Sequence, residues 1–395
     1  MVNFPATRFE NLTFEEIKSL PTLDEVFDDI LAEENKLIRT CHENPMLEPI
    51  LPNSLEYVNH QPLDMFFVTR LKSRDRKRPE KYALKPNLRD RAFLFRGQSV
   101  CKNPSVTSAL RKNGRYVSEN IRYLEFCNAI KQHPLIRMQL DGIVLNGHRY
   151  FFEVNFQGLA QHYGLKTFVM DMTSDVESAK FFAVTDYSNG SYTPVLDENR
   201  YGMVYYYDSI LNPFAFQIDR KGNQMSSIGL QMFPRSGRQK GFLYLLRKGD
   251  NLNTCLGIKW RLFRHDANIS MRVFNQAEQG AIYFPKDELS SLADRIRDAK
   301  VLPWDTFEEN LNDNPDDDRE QNIILCGNEG LYFSPDAEHI SFTEQEKAIF
   351  RERIANGLWD TFCNHIVFAE NHQTLISELR DIPNREEYKQ YFVWE

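Results

Sequence analysis

The chain has 395 residues, of which 42% are hydrophobic and 13% aromatic, and its formal net charge at pH 7 is −8. This length predicts two or three packed units, and the apolar content excludes a largely disordered chain. The acidic balance disfavours nucleic acid as a partner, because general nucleic-acid binders are more often basic.

The lack of an evident targeting signal and the pattern of the cysteines together predict a cytoplasmic protein. The opening stretch MVNFPATRFENLTFEEI has no basic segment followed by an apolar one, so no secretory signal is evident. No uncharged apolar run approaches membrane-spanning length, so we expect no membrane partner. The six cysteines are scattered without a Cys-x-x-Cys pair, which indicates reduced thiols and neither a disulfide framework nor a metal site.

Residues 1 to about 69 are expected to be mainly helical. The stretch TLDEVFDDILAEENKLI places a set of apolar residues on one helix face: Leu23, Val26, Phe27, Ile30 and Leu31. The next stretch, residues 70–91, contains ten Lys or Arg among 22 residues. We interpret it as a solvated, flexible connector, and the alternative is a patch that contacts phosphates. Its only aromatic residue is Tyr82, which weakens the nucleic-acid form of that alternative.

Residues 92 to about 290 mix strands and helices. Apolar and aromatic runs predict strands at 92–96, 167–170, 202–207, 242–246 and 281–284. A helical stripe is formed by Phe152, Phe156, Leu159 and Tyr163, and Gly164 follows as its cap.

Residues 291–395 return to helix. Thr343 and Glu346 form a capping-box pattern, and Gly357 closes the helix that they begin. Because strands and helices do not alternate regularly, we predict an α+β fold with a small, bent, mixed or antiparallel sheet. The expected division is a helical N-terminal part at 1–90, a core at 91–290 and a helical C-terminal part at 291–395.

The first candidate site residue is Arg96, at the end of the strand FLFRGQ. A guanidinium stays charged and can bind a phosphate or carboxylate with two parallel hydrogen bonds. Gly97 would let a ligand or another backbone approach closely. The structural alternative, an arginine paired with an internal carboxylate to lock a turn, is equally compatible with the spacing.

The second candidate is the segment 158–183. Ser174 and Glu177 form a capping-box pattern, so Ser174 has a structural role before any catalytic one. His162 lies near a helix C-terminus, where capping of carbonyl groups is the commoner role. Asp171 and Thr173 lie at a strand end, where ligand-binding groups are common in α/β folds.

The third candidate is NQAEQGAIYFP, residues 275–285, in which Glu278 and Gly280 precede the predicted strand. The spacing alone favours an ordinary polar turn. The sequence has no P-loop, no G-x-G-x-x-G after a strand, no G-x-S-x-G and no H-E-x-x-H, so the usual kinase, dinucleotide-binding and hydrolase fingerprints are unsupported.

Together these stretches resemble the FRG domain over about residues 90–290. The Phe-Arg-Gly of its name stands at Phe95, Arg96 and Gly97. Its second hallmark, Q-H-x-G-L-x-T followed by L-D-W-T and a helix ending in F-A, is matched at Gln161, His162, Gly164, Leu165, Thr167, Asp171, Thr173, Phe182 and Ala183. Met172 replaces the usual tryptophan, and a later Q-x-G-x-F element is matched only approximately at Gln279, Gly280 and Ile282.

The order of these motifs also resembles ADP-ribosyltransferases of the Arg-Ser-Glu type, whose split sheet binds NAD in a cleft. The resemblance implies that Arg96, with Gly97 and Gln98, binds the pyrophosphate and that Asp171 and Ser174 also contact the cofactor. It implies that Glu278 is the catalytic glutamate, assisted by His162 and Thr173. By analogy with toxin-like transferases, it further suggests a bacterial protein of phage defence.

The chemistry that this resemblance implies is coherent. Breaking the nicotinamide–ribose bond develops positive charge on the sugar, which a nearby carboxylate stabilises, while an arginine positions the phosphates. Three hypotheses stay open: an NAD-consuming enzyme acting on a macromolecular acceptor that the sequence does not identify, a non-catalytic module that binds a nucleotide or a protein, and a nucleic-acid-associated factor. The net charge counts against the third.

Overall fold

The structure is a computed structural model that describes residues 11–44, 61–71, 79–111, 115–188, 190–208 and 225–394. The strands are β1 Phe66–Arg70, β2 Lys81–Pro86, β3 Phe93–Gln98, β4 Ile143–Leu145, β5 His148–Phe152, β6 Val169–Thr173, β7 Thr185–Ser188, β8 Ser191–Pro194, β9 Tyr201–Asp208, β10 Met225–Ser227, β11 Gly241–Leu245, β12 Ile258–Arg264, β13 Val301–Pro303, β14 Tyr332–Ser334 and β15 Ile366–Val367.

The helices lie at both ends of the chain and between the strands. They are α1 Phe14–Ser19, α2 Leu23–Glu43, α3 Arg115–Ile130, α4 Pro134–Asp141, α5 Phe156–His162, α6 Val176–Val184, α7 Pro234–Arg238, α8 Ala267–Gln276, α9 Glu288–Asp298, α10 Trp304–Asp313, α11 Arg319–Asn328, α12 Glu344–Ala355, α13 Leu358–Asn364 and α14 His372–Arg380. The predicted mixed α+β class is confirmed. None of the helices among the described residues combines the length and apolarity needed to cross a membrane.

The central sheet has six antiparallel strands in the order β10-β11-β6-β3-β9-β12. The strands predicted at 92–96, 202–207 and 242–246 are confirmed as β3, β9 and β11, and the one predicted at 167–170 forms two residues later as β6. β3 pairs with β9 along its whole length but with β6 only through Phe95 and Thr173. The ladder between β3 and β6 therefore opens beyond this pair, next to Arg96.

Both faces of the central sheet are covered by apolar side chains. On one face α2, α6 and α8 pack on β3 and β9, with Phe27, Phe95 and Phe181 fully buried. The opposite face buries a second cluster that includes Met172 and Phe242. The helix stripe predicted at residues 23–31 is confirmed in α2, where its apolar face supplies part of the first cluster.

A second sheet joins distant parts of the chain. Its five strands run in the order β15-β1-β2-β5-β4, and β15 pairs in parallel with β1, from which it is separated by about 300 residues. This mixed sheet takes strands from all three predicted parts. The division at residues 90 and 290 stays a prediction, and β7 with β8 forms a separate two-stranded hairpin.

Two predicted elements are wrong. Residues 281–284 form turns and no strand, because the backbone N–H groups of Tyr283 and Phe284 donate to the carbonyl of Gly280, at 3.1 and 3.0 Å. The aromatic rings of that run pack on Phe181 and do not extend a sheet. The connector predicted at residues 70–91 is also wrong in part, since residues 81–86 are β2; residues 72–78 lie outside the described residues.

Two predicted helix starts lie elsewhere along the chain. Phe152 belongs to β5, and the helix after it begins only at Phe156, although Gly164 beyond its end does adopt a left-handed φ of 87°. The cap of α6 is Asp175, whose carboxylate accepts from the backbone N–H of Ser178 at 2.8 Å, so the predicted cap at Ser174 is wrong by one residue. The capping box of Thr343 and Glu346 is confirmed in α12.

Candidate functional site

A cavity of about 800 Å³ lies where β3 and β6 diverge. Its walls come from the end of β3 and the loop after it, the C-terminus of α5, β6, one face of α6 and the hairpin of β7 and β8. Of the predicted site residues, the cavity brings together Arg96, Gly97, Gln98, His162, Asp171 and Thr173. Two others, Ser174 and Glu278, do not line it.

Arg96 has no ion-pair partner among the described residues of this cavity. Its Nη1 donates to the backbone carbonyl of Asp171 at 2.9 Å, and its buried Nε has no hydrogen-bond partner. Among the described residues no carboxylate lies within 4.0 Å of it, so the alternative of an arginine locked by an internal ion pair is not supported there. The backbone carbonyl fixes the guanidinium without neutralising it.

Gly97 serves the packing of a helix. A methyl group placed on its Cα would lie 2.1 Å from the carbonyl oxygen of Ala179 and 2.6 Å from the backbone nitrogen of Ala183. Only glycine lets α6 lie this close to β3. Of the two expectations for this residue, approach by another backbone is therefore the one that the fold uses.

Two further cations, Lys102 and Arg111, line the cavity, and sequence reasoning missed both. Burial lowers the pKa of Lys102, and the positive charges of Arg111 and Arg96 lower it further. Partial burial lowers the pKa of Arg111, and the positive charges of Arg96 and Arg115 lower it further. Part of its side chain is nevertheless exposed to solvent. Within the described part of the chain neither cation has a carboxylate within 4.0 Å. The three charges therefore repel one another across one cavity.

Asp171 supplies the opposite charge. Its Oδ2 accepts from Gln161 Nε2 at 2.8 Å, and Gln161 Oε1 accepts from the hydroxyl of Thr167 at 2.6 Å. Its Oδ1 has no hydrogen-bond partner and lies 3.9 Å from Nε2 of His162. The chain Thr167–Gln161–Asp171 thus orients this carboxylate in the cavity wall and leaves one oxygen without a donor.

His162 is buried in the same wall, and neither of its ring nitrogens has a hydrogen-bond partner. The ring packs on Gly241, where a methyl group would lie 2.9 Å from it. Burial lowers the pKa of His162, Asp171 opposes this and Arg235 adds to it. The expected capping of carbonyl groups by this imidazole is not seen, and the ring is a neutral, buried neighbour of Asp171.

Three further predicted site residues have structural surroundings. Thr173 and Gln98 line the cavity but hydrogen-bond within the protein, and Ser174 does not line the cavity. The hydroxyl of Thr173 donates to the carbonyl of Gln239 at 2.5 Å and accepts from the backbone N–H of Asp175 at 2.8 Å, which fixes the entry to α6. Gln98 lines the cavity and accepts from the hydroxyl of Ser105 at 3.3 Å. Ser174 is buried outside the lining.

Glu278 lies elsewhere on the fold. It begins a short 3-10 helix, Glu278–Gly280, has a left-handed φ of 48° and is exposed to solvent. The strand that would have carried it into a cleft is absent from residues 281–284. Among the described residues, the carboxylates that line the cavity are those of Asp171 and Asp186, and Asp186 is paired with Arg200 at 2.6 Å.

These features define an α+β protein with a polar, cation-rich cavity at the end of a central sheet strand. Residues 91–191 match the family model of the FRG domain, so the chain contains an FRG domain. The match begins where the resemblance was expected and ends at residue 191, well before 290. It includes Arg96, Lys102, Arg111 and Asp171, and excludes Glu278. No curated protein and no solved structure matches the chain. The likeness to ADP-ribosyltransferases therefore stays a prediction.

Proposed function

We propose that the cavity of the FRG domain binds a phosphate-bearing nucleotide, and that NAD is that ligand. One observation carries the proposal: Arg96, Lys102 and Arg111 line a single cavity, and no carboxylate among the described residues lies within 4.0 Å of any of them. Three cations face one lining carboxylate, Asp171, that has no Arg or Lys partner among the described residues, since Asp186 is paired with Arg200. The cavity therefore has an excess of positive charge, and a bound phosphate would relieve the repulsion between the cations.

The side chains suit phosphate chemistry. Arginine offers a planar fork of donors that matches two phosphate oxygens, and lysine offers a compact point charge. The cavity volume of about 800 Å³ lies within the range of about 300–1,000 Å³ that is usual for small-molecule sites. The two phosphates of a dinucleotide would provide enough acceptor oxygens for all three cations.

Cleavage of the nicotinamide–ribose bond is the second candidate function, and Asp171 favours it. When that bond breaks, both electrons leave with nicotinamide and positive charge develops on the ribose, which then takes a water molecule or an acceptor group. We propose that Asp171 stabilises this charge, because it is the cavity carboxylate that has no ion pair with Arg or Lys among the described residues. This moves the role first expected of Glu278 to a residue inside the cavity.

Calorimetry with the purified full chain and NAD, followed by chromatography of the same mixture, tests both proposals. Heat of binding with release of free nicotinamide supports the enzyme. Binding without nicotinamide supports the non-catalytic module. If NAD, ADP and inorganic pyrophosphate all fail to bind, the proposed function is wrong.

A further inference from the structure

The hairpin of β7 and β8 places an exposed aromatic ring in the cavity. Tyr187 lines the cavity, yet 58% of its surface is exposed. The other aromatic lining residues in the described part of the chain, Phe95, Phe182 and Tyr192, are buried or half-buried. Tyr187 is therefore the lining ring with the most area available to a ligand.

One side of the Tyr187 ring packs against a cluster of aromatic rings. Its centroid lies 4.8 Å from that of Tyr192, and Tyr192 stacks on Phe284 at 4.6 Å with an angle of 23° between the ring planes. Tyr192 also contacts Phe181 and Phe182 at 5.2 and 6.1 Å. Among the described residues Tyr187 has no ring contact besides the tilted one with Tyr192 and no cation over its face, although the charge of Arg297 interacts with its hydroxyl. Its exposed area is therefore available to a ligand.

The residue before this tyrosine anchors the hairpin to the sheet. Asp186 accepts from the hydroxyl of Ser99 at 2.6 Å and from Arg200 at 2.6 and 3.2 Å. Ser99 directly follows β3, the strand that carries Arg96. These hydrogen bonds connect the hairpin that carries Tyr187 to the strand that carries Arg96. The side chains of Ser188 and Thr193 lie in the same lining.

We infer that Tyr187 is a stacking platform for the nucleobase of the ligand, which makes the ligand class a nucleoside diphosphate or dinucleotide and excludes a bare phosphate compound. The inference rests on the proposed function, in which Arg96, Lys102 and Arg111 bind the phosphates. Every base has a π-face, so an exposed tyrosine ring can stack on it, and the hydroxyls of Ser188 and Thr193 can hydrogen-bond to its edge. The cations supply charge, and the tyrosine recognises the base.

Calorimetry with two probes, ADP and inorganic pyrophosphate, separates the base from the phosphates. The Tyr187→Leu variant should weaken the binding of ADP by about 5- to 150-fold, the range of one base–aromatic stack, and leave the binding of pyrophosphate unchanged. Tyr187→Phe, which keeps the ring, should bind both probes like the wild type. Because the side chain is exposed, neither variant should affect folding.

The outcomes distinguish this inference from the proposed function. If the wild type binds neither probe and does not bind NAD, the proposed function fails and the inference fails with it. If the wild type binds both and Tyr187→Leu weakens neither, or weakens both equally, the phosphate site stands and the stacking platform is wrong.

Discussion

At the scale of single residues, the neighbours Arg96 and Gly97 have separate roles. Arg96 presents to the cavity a charge that has no ion-pair partner among the described residues, and Gly97 admits the backbone of α6 to within contact of β3. The Phe-Arg-Gly sequence thus combines the proposed phosphate-binding group with the packing that forms one wall of the cavity. Phe95 completes the set as a fully buried core residue.

The cavity carboxylate gives the first test at this scale. If NAD is cleaved, Asp171→Asn should lower the rate of nicotinamide release by about 100- to 1,000-fold, the usual loss when one electrostatic stabiliser of the transition state is removed. The affinity of this variant for NAD should stay the same or increase, because a neutral amide does not repel phosphates as a carboxylate does. Calorimetry and chromatography on the same samples measure the two quantities.

Glu278→Gln is the matched control for Asp171→Asn, since each change replaces a carboxylate by its amide. We expect this variant to release nicotinamide at the wild-type rate, because Glu278 does not line the cavity. Loss of activity in Glu278→Gln with full activity in Asp171→Asn would return the catalytic role to Glu278.

The buried His162 predicts a pH dependence of stability. Because burial lowers its folded-state pKa, the unfolded chain takes up a proton below about pH 6.5 that the folded chain does not. The stability advantage of the wild type over His162→Gln should therefore shrink as the pH falls from 6.5, by at most about 1.4 kcal/mol per pH unit. Urea denaturation between pH 5 and 7.5 measures this difference.

His339 provides a control of opposite sign. Burial lowers its pKa, but the hydrogen bonds and charges of Glu125 and Asp305 prevail and raise it above the ordinary value. The folded chain thus holds a proton that the unfolded chain loses, and the contribution of His339 falls as the pH rises through 6.5 and above. The differences for His162→Gln and His339→Gln should have opposite slopes, and equal slopes would contradict both assignments.

At the scale of elements, the contact between α6 and β3 is the most constrained. Gly97→Ala should lower the free energy of unfolding by about 3 kcal/mol or more, because its methyl group would lie 2.1 Å from a backbone carbonyl that cannot move without shifting α6. Chemical denaturation measures the change.

Gly327→Ala is the matched control for this substitution. Gly327 lies in α11, and its nearest neighbour, a ring carbon of Tyr332, would be 3.9 Å from the new methyl group. We expect a gain of about 0.5–1 kcal/mol from the higher helix propensity of alanine. A Gly97→Ala variant as stable as the wild type would contradict the packing described for α6.

The sequence predicted elements where one local pattern dominates. The strands β3, β9 and β11 are apolar runs bounded by polar or glycine residues, and α2 has a clear apolar face. The strand predicted for AIYF at 281–284 is wrong, because the aromatic rings of this run pack on Phe181 and its backbone N–H groups form turn hydrogen bonds. Periodicity alone does not distinguish that arrangement from a short strand.

The site was predictable only in part. The FRG motifs identified Arg96, His162, Asp171 and Thr173, all of which line the cavity. Lys102 and Arg111 have no sequence pattern of their own, and they enter the site because the loop after β3 folds back on it. Glu278 was chosen from the order of motifs, which does not fix a position in space.

At the scale of the whole molecule, the FRG domain packs against elements that precede it and elements that follow it in the chain. Glu34 of α2 is buried and accepts from the backbone N–H groups of Ala92 and Phe93 at 2.7 and 2.8 Å, so an N-terminal helix completes the start of β3. On the C-terminal side, the buried His133 forms a hydrogen bond with Glu288 of α9 at 3.2 Å, and Glu288 also pairs with Arg353 of α12 at 2.6 Å. The five-stranded sheet adds β1, β2 and β15.

These connections predict that the fragment 91–290 does not fold alone. It lacks Glu34, the buried carboxylate that accepts from the backbone N–H groups of Ala92 and Phe93, at a cost of about 1–3 kcal/mol for each lost hydrogen bond. It also lacks β2, one of the two strands that pair with β5. Thermal unfolding followed by circular dichroism should show a cooperative transition for the full chain and none for the fragment. A sharp transition in the fragment would support the core predicted at 91–290 as an independent domain.

The central claim is that Arg96, Lys102 and Arg111 form a phosphate site, and one calorimetric comparison tests it most directly. The double variant Lys102→Ala/Arg111→Ala should bind NAD at least about 100-fold more weakly than the wild type, since each hydrogen bond to a charged group contributes about 1.5–3 kcal/mol. Lys259→Ala/Arg261→Ala removes the same two residue types from the exposed face of β12, outside the cavity, and should bind like the wild type. Equal affinity in the two double variants, or no binding by the wild type, would contradict the account.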